Sequence, residues 1–311
     1  MRRWLRRILV WLGVGLALAA LWLWDWRLPP VQSWAAPPPA PGETDVRVMS
    51  FNVLSARGDW HAGRWAKRRD SVVACIRTFG PDLLGAQEVQ PDQADDLRAA
   101  LPEYGFAGAG VRADGGGNRN ALFWRLDRFE KAAEGHFWLS ETPEEPGSRD
   151  WFATSPRMVS WVALGLKGRP DRVLYFFNVH LDAFSGVARN RSAPLLRERL
   201  GRIAGEAPIL VVGDFNTDAG RQPWRVLTAE GQGPRLIDSY RSVYPEGRAN
   251  EGTWHGPGRL RVPRRLDWVL HTPHFRALEA GIVTGKSQGR YPSDHYPVTA
   301  VLRLGGAAGG Y

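Results

Sequence analysis

Residues 209–218, Ile-Leu-Val-Val-Gly-Asp-Phe-Asn-Thr-Asp, run from four apolar side chains straight into a carboxylate, Asp214, and a carboxamide, Asn216. The apolar run reads as a buried strand. A buried strand that ends in acid and amide groups sets polar atoms on a rigid support at the rim of a sheet, which narrows what the chain can fold into. The pattern recurs. Residues 46–52 alternate and end on Asn52, and residues 82–88 are an apolar run ending on Glu88. Residues 173–182 carry Asn178, His180 and Asp182, while Leu266-Asp267 and Ser293-Asp294-His295 add two more polar ends. One such end is ordinary turn chemistry. Six are not, because His and Glu are not the usual turn formers.

Between these ends, strand and helix patterns alternate. Helices are expected at 64–79, at 91–101 with Pro91 at its start, at 187–204 and at 223–230. Pro194 would kink the third of these or mark its first turn. Strands are expected at 46–52, 82–86, 105–111, 121–125, 158–166, 173–179, 209–213, 266–271, 277–284 and 297–304. This order supports an α/β or α+β class. The loop 112–120 is glycine-rich but lacks phosphate-loop spacing, and reads as a mobile rim loop. Cys75, the single cysteine, excludes a disulfide within the chain and reads as a small helix-packing residue.

The N-terminus is a different kind of sequence. Arg2, Arg3, Arg6 and Arg7 precede residues 8–24, which hold no charged side chain. As a helix this stretch is about 26 Å long, close to the roughly 30 Å of a bilayer's hydrocarbon layer. Trp22, Trp24 and Trp26 gather at its far end, where indole rings favour the headgroup region. Residues 1–28 are therefore expected to be a cytoplasmic arginine cluster and a transmembrane signal-anchor, with a cleaved signal peptide as the competing reading. Residues 29–44 form a proline-rich linker, 45–304 one large domain and 305–311 a flexible tail. The expected location is the cell membrane, single-pass, with the domain on the outer face. The formal net charge of +9 falls to +5 when Arg2, Arg3, Arg6, Arg7, Arg27 and Asp25 are set aside. A modestly basic domain suits an anionic substrate or membrane surface without requiring nucleic acid.

The motifs, in order, are Phe51-Asn52, Gln87-Glu88, Asn178-Val-His180-Leu-Asp182, Gly213-Asp214-Phe215-Asn216, Leu266-Asp267-Trp268 and Ser293-Asp294-His295. Across about residues 45–304 they resemble the endonuclease/exonuclease/phosphatase superfamily of metal-dependent phosphoesterases. Residues 137–143, 252–256 and 290–295 further resemble a bacterial branch of it that fixes no substrate. The resemblance implies a deoxyribonuclease-I-like two-layer β-sandwich flanked by helices. It implies hydrolysis of a phosphomonoester or phosphodiester by a monomer, aided by Mg²⁺ or Mn²⁺. A lipid headgroup or small phosphoester is the favoured substrate. An extracytoplasmic nuclease acting on DNA or RNA, and a non-catalytic scaffold on the same fold, are the alternatives.

The resemblance also assigns roles. Glu88 becomes the metal ligand, with Asn52 supporting or completing the shell and Asp294 on the metal side. Leu54 stands where some relatives carry an acidic residue, a departure from a two-carboxylate shell at this end. Asp214 would orient or deprotonate the attacking water. Asn216, one strand repeat later and on the same side, would hydrogen-bond the phosphoryl group. His295 would bind a phosphoryl oxygen or position the nucleophile, with Asp267 fixing its tautomer. His180 is a second phosphate contact, against the plainer reading of a core histidine. Asp182 reads as a structural partner of its own loop. Arg189 and Arg157 are cations able to grip a second phosphate or an anionic headgroup. Trp254, His255 and Tyr291 are candidates for shaping the pocket.

Overall fold

The computed structural model describes residues 44–56, 64–256, 264–286 and 291–305. Residues 1–28 and all but the last residue of the linker lie outside these. Among the described residues no helix is long and apolar enough to cross a membrane.

Two six-stranded sheets are packed face to face. The first contains β1 (Asp45–Asn52), β2 (Leu83–Val89), β3 (Tyr104–Ala107), β4 (Arg119–Arg125), β11 (Phe275–Ile282) and β12 (Val298–Leu304), in the order β11-β12-β1-β2-β4-β3. The second contains β5 (Phe129–Trp138), β6 (Met158–Leu166), β7 (Arg169–His180), β8 (Ile209–Asp214), β9 (Ile237–Asp238) and β10 (Asp267–His271), in the order β5-β6-β7-β8-β10-β9. Each sheet has one parallel pair at its centre, β1 with β2 and β7 with β8; every other pairing is antiparallel.

That arrangement gathers the motifs. A parallel pair brings two C-terminal ends to one edge, so Asn52 lies beside Gln87 and His180 beside Asp214. An antiparallel neighbour adds its N-terminal end. Asp267, the first residue of β10, is paired with Asp214. Val298 is opposite Ser50, so Ser293, Asp294 and His295 lead into β12 just beyond the end of β1.

Alternation along each strand builds three apolar layers. Val46, Val48, Leu83, Leu122, Phe176 and Val212 meet between the sheets. Helices α1 (Trp65–Phe79) and α2 (Pro91–Ala100) cover the first sheet through Val72, Ile76 and Leu97 against Met49, Phe51 and Leu84. Helix α3 (Gly186–Ala204) and the short α4 (Gln222–Thr228) cover the second through Leu196, Leu200 and Leu227 against Phe177, Val211 and Trp268. Cys75 is buried in the layer under α1, where burial pushes its thiol pKa up, as a packing residue requires.

Several local expectations need correction. β5 was absent from the sequence pattern because five consecutive residues of this edge strand are exposed and a bulge interrupts it between Lys131 and Ala133. β9 and α5 (Ser239–Val243) are too short for periodicity to reveal. Pro194 does not mark the first turn of α3. The helix begins at Gly186, where the Ser185 side chain accepts from the Ala188 amide, and Pro194 lies inside on the exposed face. There the carbonyl it leaves unpaired can turn to water. Arg119 and Asn120 belong to β4 and not to the rim loop.

Candidate active site

The site forms where the inward face of the strands turns from apolar to polar. In β1, Val46 and Val48 are followed on the same face by Ser50 and Asn52; in β7, Leu174 and Phe176 are followed by Asn178 and His180. In β8, Leu210 and Val212 are followed by Asp214. All of these polar side chains are buried.

Asn52 bridges the two sheets. Its Nδ2 donates to Glu88 Oε1 and to Asp214 Oδ2, both at 3.1 Å, while its Oδ1 accepts from the Leu54 amide. Glu88 reaches this position through a bulge. The register of β2 against β4 shifts between Ala86 and Val89, and Glu88 has φ 63°, a left-handed conformation that costs a non-glycine residue free energy. Its Oε2 accepts from the Ser55 amide.

Asp214 lies between two imidazoles, with His180 Nε2 at 3.6 Å and His295 Nε2 at 3.7 Å. Burial, reinforced by the Asp267 charge, raises its pKa to about 7, although His295 and hydrogen bonds from the Asn216 amide and Asn52 oppose the rise. His295 is shifted toward its cationic form. Burial works against that state, but Asp267, whose Oδ2 lies 2.9 Å from His295 Nδ1, and Asp214 hold its pKa well above the ordinary value. His180 goes the other way, driven well below its ordinary value by burial and by the Arg157 and His295 charges. The proton affinities of the two histidines flanking Asp214 are therefore pushed in opposite directions.

Asp214, Asp267 and His295 offer ligand atoms within 4.8 Å of one another. We read them as a buried Asp–His–Asp cluster: Asp267 Oδ2 shares a hydrogen bond with His295 Nδ1 at 2.9 Å, and His295 Nε2 stands 3.7 Å from Asp214. Glu88 is the other place that could hold a hard divalent cation. The Asn52 NH₂ group donates to both the Glu88 and the Asp214 carboxylates, whose oxygens are of the kind that suits Mg²⁺ or Mn²⁺. Asp294, expected on the metal side, accepts from the Ser293 hydroxyl at 3.2 Å through its carboxylate and from the His255 amide through its carbonyl, while Ser293 also donates to the Asn52 carbonyl at 2.6 Å.

Asn216 departs from the expected strand repeat. β8 ends at Asp214, the chain turns at Asn216 with φ 51°, and the Asn216 amide nitrogen donates to Asp214 Oδ1. Its side chain donates to the Leu181 carbonyl, so it ties two site loops together. Asp182 accepts from the Thr154 amide and hydroxyl and from the Phe184 and Ser185 amides, the loop-partner role expected of it. Arg157 and Arg189 both gather on Asp182, the first 3.5 Å from its carboxylate and the second donating to its carbonyl at 2.7 Å. His255 is buried against Tyr291 and Tyr296, a packing arrangement. Phe152 and Phe184, 88% and 82% exposed, stand on the loops that Asp182 joins.

Two residues escaped the sequence. Arg68, buried in α1, donates to the carbonyls of Val53, Leu54, Ser55 and Pro292, fastening the loops behind Asn52 and before Ser293. Its place on the stripe Trp65, Arg68, Val72, Ile76 was visible, but its destination was not. Thr253 accepts from the Leu266 and Asp267 amides, and its carbonyl accepts from the Tyr296 amide, bracing the Asp267–His295 pair from both sides.

The model of the endonuclease/exonuclease/phosphatase family matches residues 49–295. An endonuclease/exonuclease/phosphatase structure from Bacteroides vulgatus is 30% identical, covers 84% of this chain and 99% of its own, and superposes with a TM-score of 0.76. A mannosyl-6-phosphatase from Bacteroides thetaiotaomicron is also 30% identical, with 83% and 100% covered and a TM-score of 0.73. An uncharacterized protein of Acanthamoeba polyphaga mimivirus is 26% identical over 185 residues, 56% of this chain and 68% of that protein. The chain belongs to the endonuclease/exonuclease/phosphatase family and is a phosphoric ester hydrolase.

Proposed function

We propose that the domain is a divalent-metal-dependent phosphoesterase, tethered by residues 1–28 to the membrane and facing outward, that acts on a lipid headgroup or a small phosphoester. The observation that carries the reading is Asp214, buried between two histidines whose proton affinities are pushed in opposite directions and held by Asn52 from the opposite sheet. A carboxylate with a pKa of about 7 is poised to take a proton from water near neutral pH. His295, cationic and held by Asp267, would neutralise a phosphoryl oxygen, and neutral His180 would hydrogen-bond another. Mg²⁺ or Mn²⁺ bound at Glu88, with Asn52 and Asp294 alongside, would supply further charge to the phosphoryl group. The exposed Phe152 and Phe184 on the neighbouring loops favour a substrate presented at an apolar surface.

The test is a panel of phospholipids, sugar phosphates and nucleic acid offered to the full chain in detergent. Hydrolysis of at least one ester, abolished by a chelator and restored by Mg²⁺ or Mn²⁺, is expected. Metal-independent turnover, or none across the panel, would overturn the reading. For the anchor, a reporter fused after Tyr311 should be active only outside, and neutralising Arg2, Arg3, Arg6 and Arg7 should scramble that orientation. Release of a soluble form beginning near residue 37 would replace the anchor with a cleaved signal peptide.

A further inference from the structure

Beyond Arg189 lies a cavity of about 720 Å³ that the catalytic reading does not use. Its walls continue the strands that carry the site. Arg189 follows His180 by way of Asp182, Thr217 and Asp218 follow Asp214 by way of Asn216, and Arg264 precedes Asp267. His180, Asp214 and Asp267 are in register with one another, so these three connections leave the second sheet at one edge. The cavity therefore lies at the edge of the sheet that carries Asp214, whose charge acts on Arg189.

Its charge is one-sided. Arg189, Arg221, Arg225 and Arg264 line it, against the single carboxylate of Asp218. That carboxylate is taken up by Arg264 at 3.1 Å. Arg221 and Arg225 are one helical turn apart, a spacing at which like charges repel, and among the described residues neither makes an ion pair. One Arg189 Nη is committed to the Asp182 carbonyl, which leaves the rest of its guanidinium to the cavity. Burial lowers the pKa of Arg189, and the Arg264 charge acts in the same direction despite the Asp182 and Asp214 carboxylates, so these two cations press on each other. Guanidinium groups converging with so little compensation match the oxygen fork of a phosphate.

We propose that this cavity is a second anion site, and that the substrate is a phosphoester carrying another phosphate, which Arg189, Arg221, Arg225 and Arg264 hold while the ester phosphate lies at Asp214 and His295. The assignment of the first phosphate rests on the phosphoesterase reading; the anion site itself does not. A soluble bisphosphate and a phosphorylated lipid headgroup present the same chemistry.

Calorimetry decides the site without turnover. Inorganic phosphate titrated into the full chain in detergent with a chelator present should bind. Binding should persist in His295→Ala and weaken at least about ten-fold in Arg221→Ala/Arg225→Ala, exposed positions whose loss should leave the melting temperature unchanged. No metal-independent binding, or binding lost in His295→Ala and kept in the double arginine variant, would overturn the proposal. Where the enzyme turns over, the double variant should lower kcat/KM about ten-fold for the preferred bisphosphate and leave p-nitrophenyl phosphate within about two-fold. A hexose bisphosphate and a dioctanoyl phosphatidylinositol phosphate, run side by side, identify the source. Equal loss on the mono- and bisphosphates would overturn it. A chain that hydrolyses nothing but retains the calorimetric signature would sink the phosphoesterase reading alone.

Discussion

The layer between the sheets has two halves built on the same strands. In one half Val46, Val48, Leu83, Phe176, Leu210 and Val212 meet; in the other Ser50, Asn52, Gln87, Asn178, His180 and Asp214 meet. Both are buried, yet they are held by different physics. The apolar half is non-directional and tolerates a change of shape that conserves volume. The polar half is held by specific partners, since an unpaired polar atom costs more than a hydrogen bond returns. The bulge in β2 shows how the halves are joined. By shifting register after Ala86 it swings Glu88 toward the site, and the Ala86 and Ala121 carbonyls accept Nδ2 of Asn178 from the opposite sheet, at 3.0 and 2.8 Å. Gln87 then donates to Asn178 Oδ1 at 2.7 Å. Gly85 lets the sheets approach this closely, because a Cβ there would meet Val212 Cγ2 at 2.2 Å.

The largest expected effect tests whether the polar half exists for chemistry. Asp214→Ala and His295→Ala should each lower kcat/KM about a thousand-fold or more on whichever ester the panel identifies, with the fold intact by circular dichroism. Activity within ten-fold of wild type in either variant would mean that the reacting centre lies elsewhere.

How much of this was legible follows the same division. The polar ends of β1, β7 and β8 could be read because alternation assigns Asn52, His180 and Asp214 to the face already occupied by Val48, Phe176 and Val212. Asn216 could not, since alternation assumes a strand and the chain leaves β8 two residues earlier. Asn178 stood in a recognised motif, yet its destination on two carbonyls of the other sheet depends on a bulge that no local pattern encodes. Arg68 is a similar case, because a cation on an apolar stripe reveals burial and not which loops it fastens. The cavity beyond Arg189 needed three distant segments brought to one sheet edge before its arginines could be seen as a group.

A second comparison sets one substitution in each half against the other. Asn178→Leu keeps the number of heavy atoms and adds apolar surface, but strands the Ala86 and Ala121 carbonyls and leaves the Gln87 amide only Ser50 and Gly85 as acceptors, and should cost about 3 kcal/mol. Phe176→Leu removes apolar atoms and should cost about 1 kcal/mol. Urea unfolding of both variants gives the ranking. A larger loss at Phe176 would show that the seam is governed by buried area alone.

The smallest effect concerns Asp182, at the outer margin of the polar half. Burial pushes its carboxyl up, but the Ser185 amide, the Thr154 hydroxyl and amide and the Phe184 amide together bring it down to about 2, below the ordinary 3.8. A carboxylate whose folded pKa is depressed contributes stability that is complete above the unfolded value and is lost as pH falls through the folded one. Asp182→Asn retains an acceptor oxygen but loses the charge near Arg157 and half of the acceptor capacity. It should therefore be less stable than wild type at pH 7 by about 1 kcal/mol, a figure kept low for solvent screening. The gap should stay constant down to about pH 4 and close between pH 4 and pH 2, where the wild-type carboxylate takes up its proton. Melting temperatures of the two proteins across that range measure it. A gap that persists unchanged at pH 2 would mean that Asp182 acts through shape and not through its charge, and that the polar half ends at His180.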